Sequence, residues 1–236
     1  MGAHRRRRPL APAADERRPR PAQAVTDAGP WVPAAPTLDE LRAAVQACEG
    51  CELHREATQG VMGEGRTPAP LMLLGEQPGD QEDRQGEPFV GPAGGVLHKA
   101  LAAAGIEPEA TYTTNVVKHF RFRTSGKRRI HQSPTSKHVR ACRPWLRAEL
   151  ELVRPSGVVL LGGTAGKGLY GPGFRVGEAR GQLAEWPTAV DALDPAPWVL
   201  ATAHPSAVLR ARDDREAAYD MLVADLRVAA GALQDT

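Results

Sequence analysis

Four short apolar runs, at residues 71–74, 112–117, 158–161 and 198–202, alternate with stretches whose apolar residues recur at helical spacing. Runs this short, bounded by Gly or Pro, read as buried strands. Strands that alternate with helices pair in parallel, because each parallel crossover needs a dozen or more residues. Helices are predicted over residues 91–105, with Val96, Leu97, Ala100, Leu101 and Ala104 on one face, over 139–153, ended by Pro155, and over 213–230. A further helix opens at Thr37, which forms a capping box with Glu40 and leads into Leu41, Val45 and Ala47. The expected fold is α/β: a three-layer α/β/α arrangement around a central four-stranded parallel sheet.

This pattern begins at residue 37. Upstream, Arg5, Arg6, Arg7, Arg8, Arg17, Arg18 and Arg20 face only Asp15, Glu16 and Asp27, a net of +4, among seven prolines. Such a segment buries too little to offset its ordering entropy, so residues 1–36 are expected to be a disordered tail and residues 37–236 a single domain. The whole chain carries +2, which leaves −2 for the domain. No run of about eighteen apolar residues occurs, so no membrane-spanning helix is expected. Three cysteines among 236 residues cannot build a disulfide framework. They point to a reducing compartment, and a cytoplasmic location is expected.

In open parallel sheets, ligands bind beyond the carboxyl ends of the strands. The first strand runs into Glu76, Asn115 sits near the end of the second, and the fourth runs into His204. Each alone fits ordinary turn chemistry. Together, a carboxylate, an amide and an imidazole can hydrogen-bond and polarise a small heterocycle. Between Asn115 and Arg147 lie ten Lys or Arg residues and no Asp or Glu: Lys118, Arg121, Arg123, Lys127, Arg128, Arg129, Lys137, Arg140, Arg143 and Arg147. A run this long in an otherwise acidic domain reads as a phosphate-binding surface. His131 rides on it, in an expected loop between Gly126 and Pro134.

Cys48 and Cys51 form a C-x-x-C, and Cys142 follows far downstream. His119 is the best-placed fourth ligand, and either tetrahedral zinc or an iron–sulfur cluster fits this donor set. The glycine-rich stretch 162–168 lacks the first glycine and the Ser or Thr of a phosphate loop, so it reads as a tight strand-to-helix turn.

Six segments in order, Gly75-Glu76-Gln77-Pro78-Gly79-Asp80, Pro88-Phe89-Val90-Gly91-Pro92-Ala93-Gly94, Thr114-Asn115-Val116-Val117-Lys118-His119-Phe120, Lys127-Arg128-Arg129-Ile130-His131, Ala141-Cys142-Arg143-Pro144-Trp145-Leu146 and His204-Pro205-Ser206, carry a family likeness. They resemble the uracil-DNA glycosylase superfamily in its iron–sulfur branch, and most closely the UdgX type, over residues 41–229. The resemblance implies that Phe89 stacks on a flipped uracil, Asn115 reads its edge, Gln77 and Asp80 line its pocket, and His204 faces its O2. It implies a [4Fe–4S] cluster on Cys48, Cys51, His119 and Cys142, with zinc the alternative. It further implies that His131 attacks the sugar C1′, oriented by Glu76, to leave a covalent DNA adduct. Lys127, Arg128, Arg129, Ser206 and Arg210 would contact DNA. The expected partner is uracil-containing DNA, single-stranded by preference, and the protein is expected to be a monomer. Two rival readings stand beside this one: an ordinary turning-over glycosylase, and a non-catalytic DNA-binding module stapled by metal.

Overall fold

The structure, a computed structural model, describes residues 27–187 and 193–235. The residues expected to form a tail lie mostly outside it. Within that stretch, residues 27–36 are described: Ala28 is buried and its N–H donates to the Ala141 carbonyl at 2.9 Å. The described residues form eight strands: β1 (Glu64–Gly65), β2 (Leu71–Gly75), β3 (Thr111–Asn115), β4 (Phe122–Ser125), β5 (Arg128–His131), β6 (Gly157–Leu161), β7 (Leu183–Ala184) and β8 (Trp198–Thr202). The α-helices are α1 (Leu38–Val45), α2 (Asp80–Gln85), α3 (Pro92–Ala103), α4 (Ser136–Val153), α5 (Gly163–Tyr170), α6 (Val176–Ala179), α7 (Pro205–Arg210) and α8 (Arg215–Gln234).

One sheet has the order β1-β3-β2-β6-β8-β7. Its four central strands are parallel, as expected, and the short edge strands β1 and β7 add to them antiparallel. Side-chain alternation divides the core between the two faces. Met72, Leu74, Val158, Leu160, Val199 and Ala201 pack with α1, α4 and α5, while Leu71, Leu73, Val159, Leu161 and Leu200 pack with α3, α7 and α8. Helices therefore cover both faces of the sheet, giving three layers. Thr37 and Glu40 form the expected capping box. Among the described residues, no helix is long and apolar enough to cross a membrane.

Three expectations are corrected. Strand β3 stops at Asn115 rather than Val117, and the chain turns so that Lys118 folds underneath. Lys118 is fully buried and does not belong to the basic surface. Its Nζ lies 2.6 Å from Glu149 Oε2 and also donates to Thr114 Oγ1 and the Asn115 carbonyl. Glu149 Oε1 accepts from the Gly63 N–H, the Tyr112 hydroxyl and Thr114. A buried ion pair survives only with this kind of hydrogen-bond saturation, and removing one partner typically costs about 3–5 kcal/mol. The third correction concerns residues 127–131, which form a hairpin and not a loop. β4 and β5 pair antiparallel across a turn at Gly126 and Lys127, with Gly126 at φ +59, and His131 pairs with Phe122 at the open end.

Candidate functional site

The register aligns the strand ends: Gly75 lies beside Asn115, and Leu161 beside Thr202. The segments that leave them border a cavity of about 800 Å³, lined by Glu76, Gln77, Asp80, Phe89, Asn115, His131, His204, Ser206 and Arg210 among others. The carboxylate, amide and imidazole anticipated at three strand ends thus meet in one place, and His131 joins them from the hairpin.

Close backbone approach makes this convergence possible. A Cβ at Gly75 would lie 2.4 Å from Asn115 Oδ1 and 2.7 Å from Phe89 Cζ. Phe89 holds a left-handed φ of +55, and Gly94 on α3 lets the helix backbone press against the Phe89 carbonyl, which a Cβ there would meet at 1.6 Å. The Phe89 ring is stacked near His204, centroids 6.0 Å apart. Asn115 is buried and its Oδ1 has no hydrogen-bond partner. A buried orphan acceptor is costly unless a ligand supplies the donor.

His204 is the N-cap of α7. Its Nδ1 accepts from the Ser206 N–H at 3.2 Å and lies 2.8 Å from Ser206 Oγ, which itself accepts from Arg210 Nη1 at 2.8 Å. Because Nδ1 is an acceptor, the proton of the neutral ring sits on Nε2, which is left to donate. Desolvation, helped by the positive charge of Arg210 and by His131, lowers the His204 pKa to about 4, so the ring is neutral at pH 7. Ser206 and Arg210, expected to contact DNA, here set the tautomer of His204.

Glu76 is mostly enclosed, with its Oε2 accepting from Thr164 Oγ1 and its buried Oε1 without a hydrogen bond. His131 Nε2 stands 3.5 Å from that Oε1. The His131 side chain is 49% exposed, with the Phe120 ring 6.0 Å away. Gln77 lines the cavity, but its amide is spent on backbone: Nε2 donates to the carbonyls of Arg121 and Gln132, and Oε1 accepts from the Arg121 N–H. It braces the hairpin. Asp80 likewise pairs with Arg84 and Arg129, and these partners hold its carboxyl below the usual range despite an opposing desolvation. Arg129 also reaches buried Asp83 at 2.6 Å and lies over the rings of Phe120 and Phe122. It fastens the hairpin to α2, while Lys127 and Arg128 at the turn are exposed. Asp83 and Thr164 escaped the sequence reading, since neither stands in a pattern distinguishable from a polar helix start.

The three cysteines are buried in one core cluster. The mutual influence of the Cys51 and Cys142 thiols lowers the Cys51 pKa, and the same influence together with burial raises that of Cys142. Cys142 Sγ also accepts from the Lys118 N–H, and Cys48 Sγ from Trp145 Nε1 at 3.3 Å. His119 is buried, and desolvation lowers its pKa to about 4, keeping it in the neutral form a metal requires. Among the described residues, no three ligand-type side chains are gathered tightly enough to form a metal site. The donor set itself, thiols with a neutral imidazole in an apolar surround, fits a soft metal group.

The parallel α/β sheet ends in a cavity that brings together a neutral imidazole donor, an amide acceptor without a partner and a carboxylate with one oxygen free, a set that can hydrogen-bond a small polar heterocycle. The family model described as the uracil DNA glycosylase superfamily matches residues 62–227. The Type-4 uracil-DNA glycosylase of Archaeoglobus fulgidus is 35% identical over 180 residues, covering 73% of this chain and 83% of its own length. That of Thermotoga maritima is 36% identical over 172 residues, 72% of this chain and 82% of its own. That of Pyrobaculum aerophilum is 32% identical over 177 residues, 73% and 85%. The chain belongs to the uracil DNA glycosylase superfamily. Cys48 and Cys51 lie upstream of the segment that the family model matches.

Proposed function

We propose that this protein excises uracil from DNA and then captures the sugar on His131, as the UdgX type does. The observation that carries the capture step is the pairing of His131 with an enclosed carboxylate oxygen that has no other partner. Membership of the glycosylase superfamily supports the excision step.

The base, extruded or presented by a single strand, enters beside Phe89, and the orphan Asn115 Oδ1 accepts from uracil N3–H. Cytosine has no hydrogen at N3 and is left unpaired there. Cleavage sends the electrons of the C1′–N1 bond to the base, and the His204 Nε2–H stabilises the charge that builds on O2. The sugar is left electron-poor at C1′. One ring nitrogen of His131 bonds C1′, and Glu76 accepts the proton from the other, which ultimately neutralises the departing uracil anion. The N-alkylated imidazole is a poor leaving group, so each molecule acts once. Cys48, Cys51, His119 and Cys142 would hold a [4Fe–4S] cluster, which would supply a structural staple. The protein is taken to act as a cytoplasmic monomer, and single-stranded DNA is favoured because it presents the base without the cost of unpairing.

Intact-mass spectrometry after exposure to a uracil-containing single-stranded oligonucleotide should show a one-to-one adduct with loss of free uracil base. His131→Ser should form no adduct and release uracil repeatedly, as water takes the vacated position. Wild-type protein that turns over without any adduct would establish the ordinary glycosylase instead. Absence of both release and adduct would leave only a DNA-binding module.

A further inference from the structure

The two oxygens of Glu76 have different surroundings. Oε2 accepts a 2.5 Å hydrogen bond from Thr164 Oγ1, while Oε1 is buried, unbonded and 3.5 Å from His131 Nε2. Thr164 is the second residue of α5, does not line the cavity, and reaches Glu76 from 88 residues away in sequence. The turn that delivers it depends on Gly162, whose φ is +93 and whose missing Cβ would lie 2.9 Å from the His204 Cβ. One tight turn therefore packs against His204 and restrains Glu76.

We propose that Thr164 is a positioning residue for sugar capture: its hydroxyl occupies one oxygen of Glu76 and thereby fixes the other toward His131. The terminal torsion of a glutamate is broad and roughly two-fold, so an unrestrained carboxylate turns its lone pairs freely toward water. A hydroxyl donor held on a helix removes that freedom through a charge-assisted bond. The branched Cβ of threonine narrows the donor's own χ1 choices. Occupying Oε2 also leaves Oε1 as the acceptor facing the imidazole, where the proton must go.

The inference rests on the covalent reading above, and its test separates the two. Thr164→Val keeps the shape and deletes the hydroxyl; Thr164→Ser keeps the hydroxyl. Single-turnover time courses on a uracil-containing single-stranded oligonucleotide would follow released base and denaturation-resistant adduct in parallel. In Thr164→Val, adduct formation should slow by roughly tenfold or more, and the adduct formed per uracil released should fall as water competes. Thr164→Ser should restore both and keep the wild-type melting temperature. Thr164→Ala provides the same comparison if the valine variant folds poorly. Equal rates and ratios in wild type and Thr164→Val, or a failure of serine to rescue, would overturn the role of Thr164. A wild-type protein that never forms an adduct would overturn the capture itself, and this role with it.

Discussion

His204 illustrates how one residue's surroundings choose its proton. The Ser206 N–H occupies Nδ1, and desolvation together with Arg210 keeps the ring uncharged until about pH 4. In the unfolded chain the same imidazole titrates near 6.5. Between those values the unfolded state binds the extra proton, so the contribution of this group works against folding as pH falls from 6.5 toward 4. His204→Asn removes it. Urea denaturation at pH 7 and pH 5 should show the wild type losing about 2 kcal/mol more than the variant over that interval. Equal losses would mean that the ring is not held neutral by the fold. At pH 7, excision by His204→Asn should be slower by roughly 10²–10³, the usual effect of deleting one donor to a developing oxyanion.

At the scale of elements, the β4–β5 hairpin sets a division of labour among its cations. Arg129 is committed to Asp80 and Asp83, whereas Lys127 and Arg128 face solvent at the turn. If the exposed pair meets phosphates, the double variant Lys127→Gln, Arg128→Gln should lower the slope of log affinity against log salt by about 1.4 for a single strand. An unchanged slope, measured by fluorescence anisotropy, would move the DNA path elsewhere. The hairpin is also where the sequence was hardest to read. β2 and β6 are buried on both faces and therefore appear as unbroken apolar runs at Leu71, Leu73, Val158 and Leu160. β4 and β5 are largely exposed and rich in arginine, so no apolar alternation marks them. Their stability comes from distant groups, the Gln77 amide and the Asp83 carboxylate, which a local pattern does not reveal. The same distance conceals Thr164. Asn115 and His204 were legible because strand ends are where a parallel sheet exposes polar groups, and Lys118 was misread because its buried partner Glu149 lies 31 residues on.

For the molecule as a whole, the proposed cluster would join three separate pieces: the segment after α1 bearing Cys48 and Cys51, the exit of β3 bearing His119, and α4 bearing Cys142. Metal binding to ligands drawn from separate segments adds to folding free energy. Stripping the metal with a chelator and oxidant should lower stability by on the order of 3 kcal/mol or more. Hydrogen exchange should quicken first around residues 48–56, while β2 and β6 stay protected. Purified protein should be brown and contain iron; a colourless preparation with stoichiometric zinc would replace the cluster by a tetrahedral site. Whichever metal is found, the main sheet and the hairpin remain distinct assemblies, since among the described residues β4 and β5 pair with no strand of the six-stranded sheet. A cassette whose ladder is its own can be lengthened, traded or lost without re-registering the main sheet. On the proposed chemistry, a lineage is then free to graft a suicide nucleophile onto a recycling enzyme, or prune it away, and inherit base reading intact.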